Sequence, residues 1–483
     1  MKSILNTENN REKCQKFTPL NIVDDMLDMA EYTTNLMGKK VLENSFGSGH
    51  ILKSIVRRYI ADALDNGVLP EKISSGLEND IYGIELDETL YSNCIIELNE
   101  MIRGYGLPAV KWSLYNEDAL EWSNPVGFQF IIGNPPYIAY RFIDEDNRIK
   151  LKEKYSTCAK GKFDYCYAFI ESAIQMLAAD GKLVQLIPSN IYKNVFANEL
   201  RKMLLPQIVS IWEYPDQKMF GSTLTSSSIF LFDKMCTSND LEYKNVTENS
   251  SFKISKDSLE GKWIFKNQLE DKNGFVRFGD RFHASIAVAT QLNEAFVVSD
   301  DCNTIEPDIL KKAAAPRALR YGKRESIIFP YYYDDEGKIN SYTEEQFENN
   351  FPIAFLHLSR YKEKLLKRDA DPKAKWFEYG RSQALAHLYQ NKLLLSTVVT
   401  NKVEIYELDD ETIPYSGIYI TVKDENYDLN DALHLLMSEE FMEYVVSLGI
   451  SVSGKSKRIT CKDINNYEFM EEHSCNSLKA PIE

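Results

Sequence analysis

Residues 128–137 join an apolar strand to two prolines and two side chains that can act on a planar nitrogen. The stretch reads Phe-Gln-Phe-Ile-Ile-Gly-Asn-Pro-Pro-Tyr. Proline cannot donate a hydrogen bond to a sheet, and it restricts the preceding residue to an extended conformation. Asn134 and Tyr137 are therefore predicted to lie at the carboxyl end of a strand, where open α/β sheets bind ligands. A proline-rich turn with a capping asparagine is the alternative that these residues leave open.

An amide oxygen next to a backbone carbonyl suits the chemistry of an exocyclic amino group. The amino nitrogen of adenine is a poor nucleophile because its lone pair is delocalised into the ring. The side-chain oxygen of Asn134 and the carbonyl of Pro135 could accept its two hydrogens, which would favour a tetrahedral nitrogen. This arrangement favours direct methyl transfer to nitrogen without a covalent enzyme intermediate.

Three other predicted strand ends carry residues suited to a nucleoside. A strand at residue 41 is followed by a turn that contains Gly47 and Gly49 and then by a helix. Such a turn permits close backbone approach, and the helix N-terminus offers free N–H groups. Glu85 ends the next strand and could bind ribose hydroxyls, while Asp118 could receive an adenine amino group. Taken singly, each feature is more typical of an ordinary turn or a solvated charge.

The elements that must position these residues read as a doubly wound α/β domain. Between residues 39 and 236, short apolar runs alternate with helical patterns, which predicts a mostly parallel sheet with helices on both faces. An apolar stripe predicts a helix from Phe163 that ends at Asp180 and Gly181. No helix separates the last two strands, so they are predicted to form a terminal antiparallel hairpin. The predicted strands are residues 40–44, 81–86, 128–132, 182–187, 208–214 and 228–232.

A polar, turn-rich stretch after Lys234 predicts a domain boundary near residue 240. At 483 residues the chain has room for two domains with cores of their own. Residues 1–240 are assigned to the domain with the motifs above, and residues 241–483 to a mixed α+β domain. The second domain is predicted to contain strands at 393–399 and 418–422 and a helix at 429–447.

The net charge of −16 excludes a protein that binds a polyanion by bulk attraction. Residues 1–240 carry −7 and residues 241–483 carry −9, so phosphate contacts must come from local clusters. One cluster places six basic residues and no acid within fourteen positions, and others lie near residues 360–368 and 454–458. A solvated helix face is the alternative. The candidate phosphate-binding residues are Lys311, Lys312, Arg317, Arg320, Lys323, Arg324, Lys455, Lys457 and Arg458.

The eight cysteines contain no CxxC pair and no histidine lies at metal-ligand spacing, which predicts reduced thiols and no metal site. The N-terminal residues lack the apolar stretch of a secretory signal, and no run approaches the ~18 apolar residues of a membrane span. We therefore expect a soluble, cytoplasmic protein with no membrane partner. The sequence is compatible with a monomer.

In their order along the chain, these motifs resemble those of the gamma-class, Taq-type adenine methyltransferases of restriction-modification systems, which use S-adenosylmethionine. The stretch Gln15-Lys-Phe-Thr-Pro19 resembles the N-terminal motif of that group, and residues 161–165 and 186–190 resemble two later segments. The order of these features along the chain is that of the gamma class: the glycine turn comes first, Asn-Pro-Pro-Tyr follows, and a large C-terminal region comes last. Glu43, Asn44 and Phe46 depart from the common Asp-Pro-small pattern of the family.

The resemblance implies a class I methyltransferase fold and a role for each matching residue. The catalytic residues would be Asn134, Pro135, Pro136 and Tyr137. Tyr137 and Phe196 would stack on the extruded base. The cofactor S-adenosylmethionine would be contacted by Thr18, Glu43, Ser45, Gly47, Gly49, Glu85, Asp118 and Asn134.

The same resemblance implies site-specific methylation of adenine N6 in double-stranded DNA, with residues 241–483 as the target-recognition domain. Within that domain, residues 376–383 resemble a recognition segment, and Arg381 and Gln383 suit guanine and adenine edges. A buried structural role is the alternative for this segment. Any cognate restriction endonuclease would be a separate chain, because the first motif begins at residue 15.

Rival functions remain on the sequence alone. RNA adenine or cytosine N4 could be the substrate of the same chemistry, and a catalytically inactive DNA-binding specificity protein is a rival of another class. A cytosine ring-carbon methylase is disfavoured because none of the cysteines lies beside a proline. A dinucleotide-dependent dehydrogenase is disfavoured because Glu85 lies 36 residues after Gly49, where about 20 is usual.

Overall fold

The described part of the chain forms two units, Met1–Leu269 and Glu270–Glu483. The structure is a computed structural model. It describes residues 18–123, 127–217, 225–265, 274–301, 303–334, 338–381, 383–448, 450–453 and 456–471. No helix within these ranges is long and apolar enough to cross a membrane.

A nine-stranded sheet runs through the first unit. Its strands are β1 (Val41–Glu43), β2 (Ile81–Ile84), β3 (Ser113–Tyr115), β4 (Phe128–Gly133), β5 (Leu177–Pro188), β6 (Ile208–Gln217), β7 (Thr225–Asp233), β8 (Asp240–Asn245) and β9 (Ser250–Ser255). Their order across the sheet is β3-β2-β1-β4-β5-β7-β6-β8-β9. Strand β1 pairs in parallel with both β2 and β4, while β7 runs antiparallel to β5 and β6. The predicted α/β fold with an antiparallel pair is confirmed.

Helices cover both faces of this sheet, and each face buries its own apolar core. Successive residues of a strand point to opposite faces, so Leu42 and Ile131 join one core while Val41 and Ile132 join the other. The helices of the unit are α1 (Leu20–Met29), α2 (His50–Asp65), α3 (Pro70–Asp80), α4 (Glu88–Gly104), α5 (Glu145–Lys154), α6 (Cys166–Met176) and α7 (Asn198–Leu204).

The boundary predicted near residue 240 is wrong, because the first unit continues to residue 269. Strand β8 pairs in parallel with β6, and β9 pairs with β8, so the β6–β7 hairpin is not the end of the sheet. The turn-rich residues read as a linker instead connect β8 to β9. Beyond β9, Trp263 is 1% exposed and stacks on Tyr192 with ring centroids 5.8 Å apart.

Two local predictions in the first unit also differ from the structure. The helix predicted to end at Asp180 and Gly181 ends at Met176, because Leu177 already pairs with Phe128 at the start of β5. An apolar residue at helical spacing can equally begin a buried strand. The predicted strand ranges omit β3, although Asp118 is predicted to follow a strand, because only Leu114 of its three residues is buried and no apolar run marks it.

In the second unit, a four-stranded sheet separates two apolar cores; across it run Phe282–Ile286, Ile418–Val422, Lys392–Leu395 and Ile405–Leu408, in that order. The predicted helix at 429–447 is two helices, because Ser438 interrupts it and its hydroxyl accepts a hydrogen bond from the Phe441 N–H at 3.0 Å. The strands are β10 (Phe275–Arg277), β11 (Phe282–Ile286), β12 (Val297–Ser299), β13 (Leu310–Ala314), β14 (Glu325–Ile328), β15 (Tyr331–Tyr333), β16 (Ile339–Ser341), β17 (Lys392–Leu395), β18 (Val398–Val399), β19 (Ile405–Leu408), β20 (Ile413–Pro414), β21 (Ile418–Val422), β22 (Ile450–Ser453), β23 (Ser456–Arg458) and β24 (Glu468–Met470). The helices are α8 (Phe278–Arg281), α9 (Asn293–Phe296), α10 (Pro316–Arg320), α11 (Glu344–Asn350), α12 (Pro352–Ser359), α13 (Lys362–Leu366), α14 (Leu429–Met437), α15 (Glu439–Leu448) and α16 (Cys461–Asn465).

Candidate functional site

Asn134 directly follows β4. The strand order reverses between β1 and β4: β2 and β3 lie beyond β1 on one side, and β5 to β9 lie beyond β4 on the other. The side-chain N–H of Asn134 donates to the Thr18 hydroxyl at 3.2 Å, and the backbone carbonyl of Asn134 accepts from the Ser45 hydroxyl at 3.1 Å. Pro135 is buried and Pro136 is half-buried. Three segments that are distant in sequence therefore meet at Asn134, in the crevice where open α/β sheets bind ligands.

Tyr137 is anchored beside Asn134 through its hydroxyl group. The hydroxyl lies 2.6 Å from the Leu186 carbonyl oxygen and also contacts Asn134 Oδ1. Burial raises the pKa of Tyr137 well above its ordinary value, so the group stays protonated and can donate. An amide oxygen has two acceptor positions, and the contact with Tyr137 leaves one of them for a ligand.

The glycine turn after β1 is joined to the end of β2 by a carboxylate. Gly47 and Gly49 have φ of +53° and +74°, and a Cβ at Gly49 would lie 2.3 Å from Cys94 Sγ. Glu85 accepts hydrogen bonds from the N–H groups of Gly47 and Asp87, each at 2.8 Å. The turn therefore requires glycine at position 49 and brings backbone N–H groups against the strand ends.

Asp118 continues the row of acidic side chains past β3. Its carboxylate accepts from the Leu120 N–H at 2.9 Å, and the neighbouring Asn116 donates to the Glu85 carbonyl at 2.8 Å. Acidic or amide side chains thus follow β1, β2, β3 and β4 at one edge of the sheet. This edge offers acceptors to a ligand that carries several hydrogen-bond donors.

Burial shapes the acids at this edge. It raises the pKa of Glu85 and Asp118 above their ordinary values, although backbone N–H groups partly oppose the shift. Glu43 is 2% exposed, its pKa is raised well above the usual range by burial, and its Oε2 has no hydrogen-bond partner among the described residues. A buried carboxyl without a full set of partners is costly, which is common at functional sites.

Phe196 lies against the segment at residues 161–165. Gly161 has φ of +75°, and a Cβ there would lie 2.2 Å from the Phe196 ring, which is 39% exposed. At the other end of the segment, the Asp164 carboxylate accepts from the N–H groups of Ile138 and Cys166, at 3.3 and 3.2 Å. One five-residue segment therefore contacts both Phe196 and the chain just after Tyr137.

No motif separately indicates Asp164 or Arg201 as positioning residues. Arg201 is 3% exposed and donates to the carbonyls of Ile191 and Asn194 at 2.6 and 2.7 Å. It thereby holds the loop that leads into the 3-10 turn Val195–Ala197. In the sequence, Arg201 looks like any basic residue on a helix face, and only its burial distinguishes it.

The predicted phosphate-binding residues of the second unit lie mainly on the surface. Lys311 and Lys312 are on β13, Arg317 and Arg320 are on α10, and Lys323 and Arg324 follow it. Two of them are paired with acids: Lys312 lies 2.9 Å from Asp409, and Arg320 lies 2.8 Å from Glu404. Lys457 and Arg458 are on β23, and Lys455 lies outside the described residues.

The proposed recognition segment at 376–383 is mostly core. Trp376, Phe377 and Tyr379 are buried. Arg381 is exposed and lies 3.2 Å from Asp369. Gln383 begins a short 3-10 turn, and its side chain lies outside the described part of the structure. The aromatic residues of this segment are therefore packing residues.

Known proteins similar to this chain are restriction-modification enzymes and methyltransferases. Residues 79–220 match the family described as Eco57I restriction-modification methylase. Over 495 aligned residues, the chain is 24% identical to the Type II methyltransferase M.BstVI of Geobacillus stearothermophilus, covering 90% of this chain and 86% of that protein. It is 23% identical to the Type II methyltransferase M.HindII of Haemophilus influenzae, covering 73% and 68%. The Type IIL restriction-modification enzyme MmeI, solved in complex with DNA, superposes with a TM-score of 0.59 at 14% identity, covering 95% of this chain and 67% of that one.

The first unit has the doubly wound fold of the class I methyltransferases, with the strand-end site at its carboxyl edge. Residues 79–220 and the two relatives make the chain similar to restriction-modification methyltransferases, and the cofactor that this similarity implies is S-adenosylmethionine. The residues present fit that cofactor in two respects. Glu85 and Asp118 can accept from hydroxyl and amino donors, and the buried Oε2 of Glu43 still lacks a hydrogen-bond partner among the described residues.

Proposed function

We propose that this chain is a site-specific DNA methyltransferase that methylates N6 of an adenine extruded from duplex DNA. The observation that carries the proposal is the placement of Asn134 and Tyr137 at the carboxyl end of β4, beside the glycine turn of β1. The relatives that align along most of the chain support the restriction-modification context. The enzyme would be the modification component of a restriction-modification system, with a cognate restriction endonuclease as its proposed partner, or a solitary methylase.

Residues at different strand ends of the first unit would each bind a different part of the cofactor. Glu85 would accept from the ribose hydroxyls, and Asp118 would accept from the adenine amino group. The turn at Gly47 and Gly49, with Thr18, Glu43, Ser45 and Asn134, would surround the methionine end. The chemistry supplied by bound S-adenosylmethionine is an electrophilic methyl group on a sulfonium sulfur.

The chain's own residues would activate the target nitrogen by accepting its hydrogens. Asn134 Oδ1 and the Pro135 carbonyl would each accept one N–H of the adenine amino group, which localises the nitrogen lone pair. The contact between the Tyr137 hydroxyl and Asn134 Oδ1 would fix the orientation of the amide before the base arrives. Because Asn134 is neutral at all relevant pH values, it would act by orientation and not as a base.

The aromatic residues would hold the extruded base in place. The Tyr137 ring packs against the core with its hydroxyl anchored at Leu186, so it is a fixed surface for stacking. Phe196 is partly exposed and backed by Gly161, which suits a second contact with the base. Stacking of a base on an aromatic side chain contributes about 1–3 kcal/mol, enough to offset much of the cost of unstacking the duplex.

The second unit is proposed to recognise the target sequence. Arg317, Lys323 and Arg324 are exposed and have no ion-pair partner among the described residues, so they can contact phosphates. Phosphate contacts set the position of a protein on DNA, and base readout must then come from other side chains of the unit. Arg381 is proposed to contribute to this readout once it is released from Asp369.

The test is to incubate the protein with S-adenosylmethionine carrying a labelled methyl group and with duplex DNA, digest the DNA, and identify the labelled nucleoside. Labelled N6-methyl-2′-deoxyadenosine is the expected product. Labelled N4-methyl-2′-deoxycytidine would contradict adenine specificity, and label found only in RNA or protein would overturn the proposal.

Asn134→Ala is the matched variant for this experiment. It removes the acceptor for the amino group and should abolish methyl transfer, while cofactor affinity stays within about tenfold. Isothermal titration with the cofactor measures the second quantity. Retained transfer by the variant would refute the role assigned to Asn134.

A further inference from the structure

We propose that Lys160 and Lys162 bind the DNA phosphates that flank the extruded base. The inference rests on the proposed function and extends it, because it places a DNA contact in the first unit. The basic clusters predicted from the sequence all lie beyond residue 310. The two lysines instead flank Gly161, the residue on which the Phe196 ring rests.

The geometry places both ammonium groups within reach of the nucleotide that Phe196 would contact. Lys160, Gly161 and Lys162 are all exposed. Neighbouring Cα atoms are about 3.8 Å apart and a lysine side chain reaches roughly 6 Å, so each ammonium lies within about 10 Å of the backbone under the ring. The phosphates on either side of a stacked base fall within that distance.

The position of the two lysines is fixed by the same contacts that order the site. Gly161 has φ of +75° and packs directly on the Phe196 ring. Three residues further on, Asp164 binds the N–H groups of Ile138 and Cys166. The lysines are therefore attached to an ordered segment and not to a free loop end, which lowers the entropic cost of binding a phosphate.

The surrounding stretch is basic in a chain that is otherwise acidic. Residues 148–162 contain six basic residues and a single acid, against a net charge of −16 for the whole protein. Several of these basic residues are already in use. Arg148 and Lys152 lie over the Tyr140 ring, and Lys154 pairs with Glu121 at 3.7 Å.

Lys160 and Lys162 are not used in this way. Within the described ranges, neither takes part in an ion pair or a side-chain hydrogen bond. The nearby acid Glu199 is paired with Lys202 at 3.0 Å; its pKa is lowered chiefly by that hydrogen bond, and the charge of Lys160 adds a smaller effect. Two exposed, unpaired ammonium groups at a nucleotide site favour phosphate as the partner. Because S-adenosylmethionine carries no phosphate, the charge complements the DNA backbone and not the cofactor.

The test compares a double variant, Lys160→Gln with Lys162→Gln, against a control that removes the same charge elsewhere. Lys111→Gln with Lys253→Gln is suitable, because both residues are exposed and lie at the amino end of β3 and on the edge strand β9. The probe is a duplex oligonucleotide that carries the site mapped in the labelling experiment. Fluorescence anisotropy gives its Kd between low and physiological salt.

For the Lys160 and Lys162 variant, the negative slope of log K against log salt should become shallower by roughly 2, since each phosphate contact contributes about −0.9 to it. The DNA Kd should rise roughly tenfold, with cofactor Kd and kcat at saturating DNA unchanged within about threefold. The control should match the wild type. If the wild type methylates DNA and both double variants give the same slope, the inference is overturned and the proposed function stands. If the wild type neither binds nor methylates DNA, the inference and the proposed function are both overturned.

Discussion

Tyr137 combines two groups whose roles can be separated by substitution. Its hydroxyl lies 2.6 Å from the Leu186 carbonyl and contacts Asn134, while its ring offers the proposed stacking surface. Tyr137→Phe keeps the ring, so kcat/KM for DNA should fall by less than about tenfold, as expected for the loss of net hydrogen bonds. Tyr137→Ala removes the ring, and the fall should be roughly ten- to a hundredfold. Steady-state kinetics with DNA as the varied substrate measures both, and equal losses would contradict a stacking role.

Glu43 should make the stability of the cofactor-free protein depend on pH. Burial raises its pKa well above that of a glutamate in an unfolded chain, about 4.3. The folded state then binds more protons, so this group's contribution to stability is present below pH 4.3 and is lost as pH rises above it. Glu43→Gln removes the ionisation. The variant should unfold at a higher temperature than the wild type at pH 7, and the difference should vanish near pH 4.

Thermal unfolding by circular dichroism at a series of pH values measures this difference. Glu88→Gln is the control, because Glu88 is exposed on the first turn of α4. A constant difference between Glu43→Gln and wild type at all pH values would show that Glu43 does not carry the effect.

Single residues were predictable from the sequence where they end a strand. Asn134 and Glu85 follow apolar runs directly, and the structure brings both to the same edge of the sheet. Residues that act through burial were not predictable. Arg201 and Asp164 do their work by donating to or accepting from distant backbone groups, and nothing in their local sequence records that they are buried.

At the scale of elements, β8 and β9 determine where the first unit ends. They extend the sheet beyond β6 and bury Leu241, Tyr243 and Ile254 in one of its cores. Trp263 follows and packs on Tyr192. Each fully buried apolar side chain contributes about 1.5–3 kcal/mol, so their combined loss would be comparable with the whole stability of a domain.

A fragment of residues 1–240 should therefore be unstable, whereas a fragment of residues 1–269 should fold. The shorter fragment exposes the edge of β6 as well as the apolar surface that β8, β9 and Trp263 cover. Gel filtration and thermal unfolding of the two fragments provide the measurement. A cooperative transition at the same temperature in both would place the boundary near residue 240 after all.

Elements were predictable where their apolar pattern was long enough. Six strands of the first unit, β1, β2 and β4 to β7, follow from runs of apolar residues, whereas β8 and β9 mix polar and apolar residues and do not. The helix of residues 50–65 follows from its glycine turn. The pattern does not distinguish the turn of a hairpin from a linker, because both are rich in polar turn residues. It also cannot show that Leu177 pairs with Phe128, since that contact spans 49 positions.

At the scale of the whole molecule, the net charge of −16 restricts DNA to local basic surfaces. The first unit supplies Lys160 and Lys162, and the second supplies Arg317, Lys323 and Arg324. Other basic residues of the predicted clusters are held by acids, among them Lys312 by Asp409. The composition alone shows the acidic excess, but only the pairing in the structure separates the available charges from the neutralised ones.

If both units bind the same duplex, their contributions to the salt dependence should add. Five available charges predict a slope of log K against log salt of roughly −4 to −5 for the wild type. Substituting Arg317, Lys323 and Arg324 by Gln should lower its magnitude by roughly 3, and adding the Lys160 and Lys162 substitutions should leave little dependence. Cofactor affinity should stay unchanged throughout, because these residues lie away from the strand-end acids in sequence and bind no part of S-adenosylmethionine. A combined variant whose slope equals that of either parent would mean that the two sets of charges do not bind one duplex together.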